Sequence, residues 1–165
     1  MMQQEGWLVL IVGLPRDPSS LRVRAWRRLK TVGAIALKRG VWVLPATPET
    51  AEQFQWLAQE VQRDGGDATL LRVERVENLA DSDIARRFHE ARDPDYRALT
   101  ERYRRLLRGL ERQRGEPPQR ARDEAARLAR EHARLRDVDY FEAPAGAEAQ
   151  RAREALEARL APAAA

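Results

Sequence analysis

The chain contains no cysteine. That absence removes disulfides, thiolate nucleophiles, cysteine-ligated zinc and iron–sulfur clusters together. Histidine is nearly as scarce. His89 and His132 are the only two, they fall on separate helices, and no carboxylate stands at a fixed spacing from them, so neither a metal nor any other cofactor is expected. His132 lies on an apolar helix face and reads as a packed residue, whereas His89 follows Phe88 at a helix edge and reads as solvated. Ser19, Ser20 and Ser82 have no adjacent base and occupy capping positions, which gives no support to a Ser-His-Asp arrangement. Neither glycine pattern that cradles phosphate, G-x-x-x-x-G-K or G-x-G-x-x-G, occurs. No apolar run approaches the roughly 18 residues needed to span a bilayer, so no membrane partner is expected. The opening MMQQEGWLVLIV has no basic n-region and no small-residue cleavage site. Its apolar part reads as a strand and not a signal peptide, and the expected compartment is the cytoplasm.

What the chain has in quantity is charge. Asp, Glu, Lys and Arg make up 34% of its 165 residues, and 28 of the 30 basic residues are arginine. Arginine richness partly follows genome composition, so its placement says more than its number. The segment Leu14–Pro45 carries Arg16, Arg22, Arg24, Arg27, Arg28, Lys30, Lys38 and Arg39 against the single acid Asp17, a net +7 in a chain whose total is +4. Everything outside that segment therefore sums to −3. Positive charge concentrated on one helix and a neighbouring turn is the footprint of a polyanion-binding face.

The length suits one domain, or one domain with an appendage. Trp7 to Leu14 is a short continuous apolar run closed by Pro15, as expected of a strand buried on both faces. Pro15 to Ser20 is a loop, with Ser19 or Ser20 placed to cap the next helix. That helix runs from Leu21 to Val32 and stops at Gly33; Leu21, Ala25, Leu29 and Val32 form its apolar stripe, with Trp26 on the flank. Ala34–Leu37 and Val41–Leu44 read as strands turned at Lys38-Arg39-Gly40. A second helix spans roughly Glu49 to Arg63, with Phe54, Leu57 and Val61 inward, and Ala68 to Val76 is a fourth strand. The order β-α-β-β-α-β predicts an α+β fold, a ferredoxin-like sandwich over residues 1–76. Residues 77–165 form a helical extension expected to pack on that core as one structural unit. It comprises a short helix Ser82–Arg92, a longer one opened by Asp93-Pro94, a third from Gln119 to Asp137, a fourth from Ala147 to Leu160, and a frayed Ala-Pro tail. The two long helices can pair as a hairpin across Pro117-Pro118.

On the first helix, Arg24, Arg27 and Arg28 fall on the face opposite Leu21 and Leu29, while Arg22 points into the apolar arc. Two readings stay open. One is a solvated face plus one arginine paired with an acid such as Asp17. The other is phosphate contact by Arg24, Arg27 and Arg28, helped by Lys38 and Arg39. The tryptophans Trp7, Trp26, Trp42 and Trp56 fall on two strands and two helices, a distribution that predicts core positions; a stacking platform for bases needs them exposed. Metal nucleases of ferredoxin-like outline place an aspartate at the end of the first strand. Here that position reads Val12-Gly13-Leu14, with Asp17 only in the loop beyond, so a nuclease is not expected and no enzyme activity is assigned.

Five segments together resemble the N-terminal domain of the ChrB-type chromate-resistance regulators: Trp7–Pro15 (WLVLIVGLP), Ser20–Ala34 (SLRVRAWRRLKTVGA), Gly40–Pro45 (GVWVLP), Phe88–Tyr96 (F-x-x-A-R-D-P-D-Y) and Val138–Phe141 (VDYF) with Pro144 following. Their order and spacing cover nearly the whole chain. The resemblance implies a DNA-binding regulator of chromate defence, and it places Arg22, Arg24, Trp26, Arg27, Arg28 and Lys30 in the family's first-helix signature. It also implies that chromate sensing belongs to a further C-terminal domain. The expected partner is DNA, contacted through Arg22, Arg24, Arg27, Arg28, Lys30, Lys38 and Arg39. The sequence holds no helix-turn-helix, so a homodimer with two first helices side by side is the expected way to engage a duplex. A separately encoded sensor domain is a further partner considered. The rival reading is a protein–protein interaction module that pairs with such a domain and does not bind DNA.

Overall fold

Four apolar residues in succession, Trp7 to Leu10, cannot alternate between core and solvent, and all four are buried in the structure, a computed structural model that describes residues 5–162. The first residues of the run read as no signal peptide, and the last of the frayed tail, lie outside that range. The buried run is the start of strand β1 (Trp7–Gly13), which takes the centre of a four-stranded sheet ordered β2-β3-β1-β4. Strands β2 (Ile35–Lys38), β3 (Val41–Pro45) and β4 (Asp67–Val73) complete it, and every neighbouring pair is antiparallel. The register sets Leu10 beside Trp42 and Leu70, and Ile11 beside Val41 and Thr69. The last strand is shorter than expected: it ends at Val73, and Val76 makes only an isolated bridge to Leu79.

Two helices link these strands, α1 (Ser19–Thr31) and α2 (Pro48–Arg63). Neither serine caps α1. Pro18 holds the cap position without a side-chain hydrogen bond, and its carbonyl accepts from Leu21 N at 3.2 Å. Helix α2 has what α1 lacks. Thr47 and Thr50 bond each other's backbone N–H reciprocally, at 3.1 and 2.9 Å, with Pro48 at the first helical position. Phe54, Leu57 and Val61 are buried as their spacing predicts, whereas α1 buries only Leu29. One buried leucine contributes about 1.5–3 kcal/mol, so α1 is thinly anchored and turns most of its surface outward.

The remaining helices are α3 (Asp81–Glu111), α4 (Gln119–Asp137) and α5 (Ala145–Leu160). The expected break before Pro94 is absent, because α3 runs 31 residues with Pro94 inside it. Asp93 does not open a new helix. Its carboxylate instead accepts from Ala145 N at 3.0 Å, supplying the first turn of α5 with an acceptor. By contacts the chain divides into two compact units, one ending at Ala85 and one beginning at Arg86. In the second unit Leu99, Tyr103 and Leu110 of α3, Ala121 and Leu128 of α4, and Ala152 and Leu156 of α5 share one core. The expected hairpin is present: Arg102 Nη1 donates to both Glu131 carboxylate oxygens at 2.7 Å across α3 and α4.

His132 is 1% exposed, with Nδ1 3.1 Å from the Tyr103 hydroxyl, as its apolar setting predicts. Burial, with Arg153 and Arg136 nearby, lowers its pKa, and burial pushes the Tyr103 phenol up to about 12. The reading of His89 as solvated is corrected. It is half-buried, with Nε2 2.7 Å from the Phe141 carbonyl oxygen, a partner 52 residues away that helix-edge position does not reveal.

Candidate nucleic-acid interface

All eight cations of the Leu14–Pro45 segment are exposed, but the fold sorts them into distinct settings. Arg24 and Arg28 stand four apart on α1, opposite Glu60 on α2 and Asp64 at its C-cap. Arg24 Nη1 lies 3.4 Å from Asp64 Oδ2. Arg28 grips Glu60 through both ends of its guanidinium, the Nε contact being 3.1 Å, and that carboxylate raises its pKa further. With Arg63 these residues line a small mixed-charge depression. On this flank both arginines of α1 are held by acids.

The opposite flank is not. Arg22 lines a groove of about 470 Å³ together with Arg16 from the loop after β1 and Arg39 from the β2–β3 turn. No acid lines it. Its remaining walls are Val12, Gly13, Leu14, Ala25, Trp26, Leu29, Gly40 and Trp42. Among the described residues no carboxylate lies within ion-pair distance of Arg16, Arg22, Arg27, Lys30, Lys38 or Arg39. The proposed pairing of Arg22 with Asp17 is therefore absent. Lys30 Nζ sits 4.8 Å from the centre of the Trp26 ring, a cation–π contact. Arg27 projects from the side of α1 away from Leu29, and Lys38 ends β2 outside the groove.

A glycine brings the turn to this place. Gly40 has φ +75°, a left-handed backbone that side chains disfavour, and its carbonyl accepts from Val12 N at 2.7 Å. A Cβ there would lie 2.9 Å from the Val12 carbonyl oxygen. The close approach pins Lys38-Arg39-Gly40 against the end of β1, beside the loop that carries Arg16. A register shift between Ala36 and Lys38 bends the strand leading into the turn.

The expectation that all four tryptophans are core residues holds for Trp7 and fails for two others. Trp7 is fully buried and donates from Nε1 to Asp81 at 2.9 Å. Trp42 is half-buried. Trp26 is 50% exposed and Trp56 57% exposed. Both stand on helices, where presence in an amphipathic element does not fix the rotation of a flanking position. Arg16 counted toward the basic charge but not among the expected contact residues. The signal that finds it is topological, since antiparallel pairing of Ile11 with Val41 puts the end of β1 beside the turn at Arg39.

Among the described residues no group of three or more His, Asp or Glu side chains could hold a metal ion, and no helix is long and apolar enough to cross a membrane. A family model described as "Protein ChrB, N-terminal" matches residues 22–165. That range includes every cation of the groove except Arg16. Protein ChrB of Cupriavidus metallidurans is 30% identical over 154 residues, which is 89% of this chain and 44% of that protein. The chain thus spans less than half the length of the relative it matches. No solved structure matches it.

Proposed function

The chain belongs to the ChrB N-terminal family, and on that premise we propose that it is a DNA-binding regulator, or the DNA-binding part of one, acting in chromate resistance. The observation that carries the reading is the set of cations left without acids. The chain has 26 Asp and Glu residues, yet Arg16, Arg22, Arg27, Lys30, Lys38 and Arg39 have none as partner among the described residues. A surface uncompensated from within is complementary to a polyanion from without. Arg24 and Arg28, themselves exposed, contribute at the margin, by exchanging their half-buried carboxylate partners for phosphates. Exposed ion pairs of this kind are worth only about 0–1 kcal/mol each, so the exchange is cheap. The first unit is read as ferredoxin-like, supported by its β-α-β-β-α-β order and the β2-β3-β1-β4 sheet. A dimer that sets two copies of α1 side by side would engage successive turns of a duplex.

The test is fluorescence anisotropy on a labelled duplex across a salt series. Six phosphate contacts give a slope of log affinity on log salt near −5, about −0.9 for each. Changing Arg22, Arg27 and Lys30 together to glutamate abolishes binding and leaves circular dichroism unchanged. Binding that survives the triple change moves the site elsewhere, whereas no duplex binding by the unaltered chain at low salt favours the second reading, an interaction module without DNA binding of its own. That reading has its own observation: a groove of about 440 Å³ between α3 and α4, whose lining includes Leu106, Leu110, Pro118 and Ala121. Chromate is not read by this chain in either case. An anion site built from arginines alone does not tell chromate from sulfate, so both anions at matched ionic strength release duplex equally.

A further inference from the structure

Trp26 is a large aromatic residue left half exposed beside three arginines that converge from separate segments, and a backbone-only DNA interface uses no such ring. We propose that the groove between α1 and the β2–β3 turn receives an unstacked nucleotide, its base on Trp26 and its phosphates among Arg16, Arg22 and Arg39. This rests on the nucleic-acid reading above and deepens it, from a polyanion surface to a site that distinguishes an opened strand from a closed duplex.

The chemistry of the walls selects this ligand class. Val12, Ala25, Leu29 and Trp42 give the groove an apolar floor, which a bare phosphate or sulfate does not use. Three guanidiniums with no acid among the lining residues would be left uncompensated by a purely apolar ligand. A nucleotide joins both requirements in one molecule: a flat, weakly polar base and a charged phosphodiester. Arginine forks suit phosphate geometry better than point charges do. The groove volume of about 470 Å³ falls within the roughly 300–1,000 Å³ of sites for single small molecules. The Trp26 ring already holds one cation, Lys30, which places a charge within reach of the next phosphate along the strand. In a closed duplex the base faces are stacked on each other and only their edges are available, so a groove that works by stacking sees only a base that is out of the stack.

The experiment compares three probes on the full chain at one salt concentration: a thymidine octamer, an abasic octamer with the same phosphates, and a short blunt duplex. The thymidine octamer should quench tryptophan emission and bind about five- to 150-fold more tightly than the abasic one, the equivalent of one stacked base. Trp26→Ala should erase that advantage, and Trp26→Phe should keep part of it. Arg39→Gln and Arg16→Gln should weaken both octamers. Arg104→Gln, in the helical unit, is the control and changes neither. Equal binding of the two octamers overturns the proposal, as does a thymidine advantage that survives in Trp26→Ala. If the duplex still binds with a steep salt slope in those cases, the proposal falls alone. If no probe binds at low salt, the DNA reading falls with it.

Discussion

Among the described residues, several arginines of the helical unit are held by acids, although Arg112, Arg130 and Arg134 among others are not, and on the outer flank of α1 none is. Along α3, Arg102 is held by Glu131, Arg104 by Glu148 at 2.6 Å, and Arg108 by Glu101 at 2.9 Å; on α5, Arg153 is held by Glu157. These guanidiniums tie helix to helix or turn to turn. On the outer flank of α1 and the turn facing it, the same residue type stands without acids. Residue counts do not separate the two situations, since both regions are arginine-rich. The difference lies in whether the fold supplies a carboxylate, and a helix whose cations are left open presents its charge to another molecule. Helix α1 contains both cases within two turns: Arg24 and Arg28 on the compensated side, Arg22 on the open side.

The comparison breaks most visibly under charge reversal. Arg22→Glu with Arg39→Glu should weaken duplex binding on the order of a hundredfold, whereas Arg104→Gln with Arg108→Gln should leave it unaltered; anisotropy at constant salt checks both. A sharper probe works on the compensated flank. Glu60→Gln with Asp64→Asn frees Arg28 and Arg24 without touching a cation, so duplex affinity should rise by about three- to tenfold and the salt slope steepen by up to two contacts. Unchanged affinity would mean that this flank never meets nucleic acid.

A smaller effect separates the units by pH. The folded state lowers the pKa of His132 below its ordinary 6.5, through burial first and the neighbouring Arg153 and Arg136 next, with Glu157 opposing. The unfolded chain therefore binds the proton more readily than the native one. Stabilisation is complete above pH about 6.5 and is lost as the pH falls below it. Urea midpoints measured from neutral to mildly acid pH should decline, and His132→Gln should flatten that decline. Smallest of all, Arg102→Ala should cost about 1 kcal/mol, the upper end for a solvent-accessible pair because Arg102 is only partly exposed and meets both Glu131 oxygens, by the same urea titration; a larger loss would show its stem packing in the core.

Much of the first unit was legible in the chain. The four buried residues of β1, the stop at Gly33, the turn at Lys38-Arg39-Gly40 and the inward face of α2 all follow from local pattern. What pattern did not give depends on partners distant in sequence. Pro94 reads as a helix start because Asp-Pro favours one, yet Asp93 finds its acceptor role at Ala145, on another helix. The ladders that hold Arg24 and Arg28 span 40 and 32 residues. They had a readable trace, since cations four apart on α1 face acids four apart at the end of α2, but pairing them requires knowing that the two helices are neighbours. The flank position of Trp26 predicts an inward ring, and one step around the helix decides between sheet and solvent. The basic stretch was legible as charge, while its division into a closed and an open side was not.

The contact of Gly40 with Val12 makes the open side vulnerable at a residue that carries no charge. Any side chain at position 40 meets the Val12 carbonyl and must leave the left-handed backbone, which swings Arg39 away from Arg16 while every arginine remains in the sequence. A random-mutagenesis screen for lost binding should thus return position 40 alongside the arginines, and an inventory of conserved charge would overlook it.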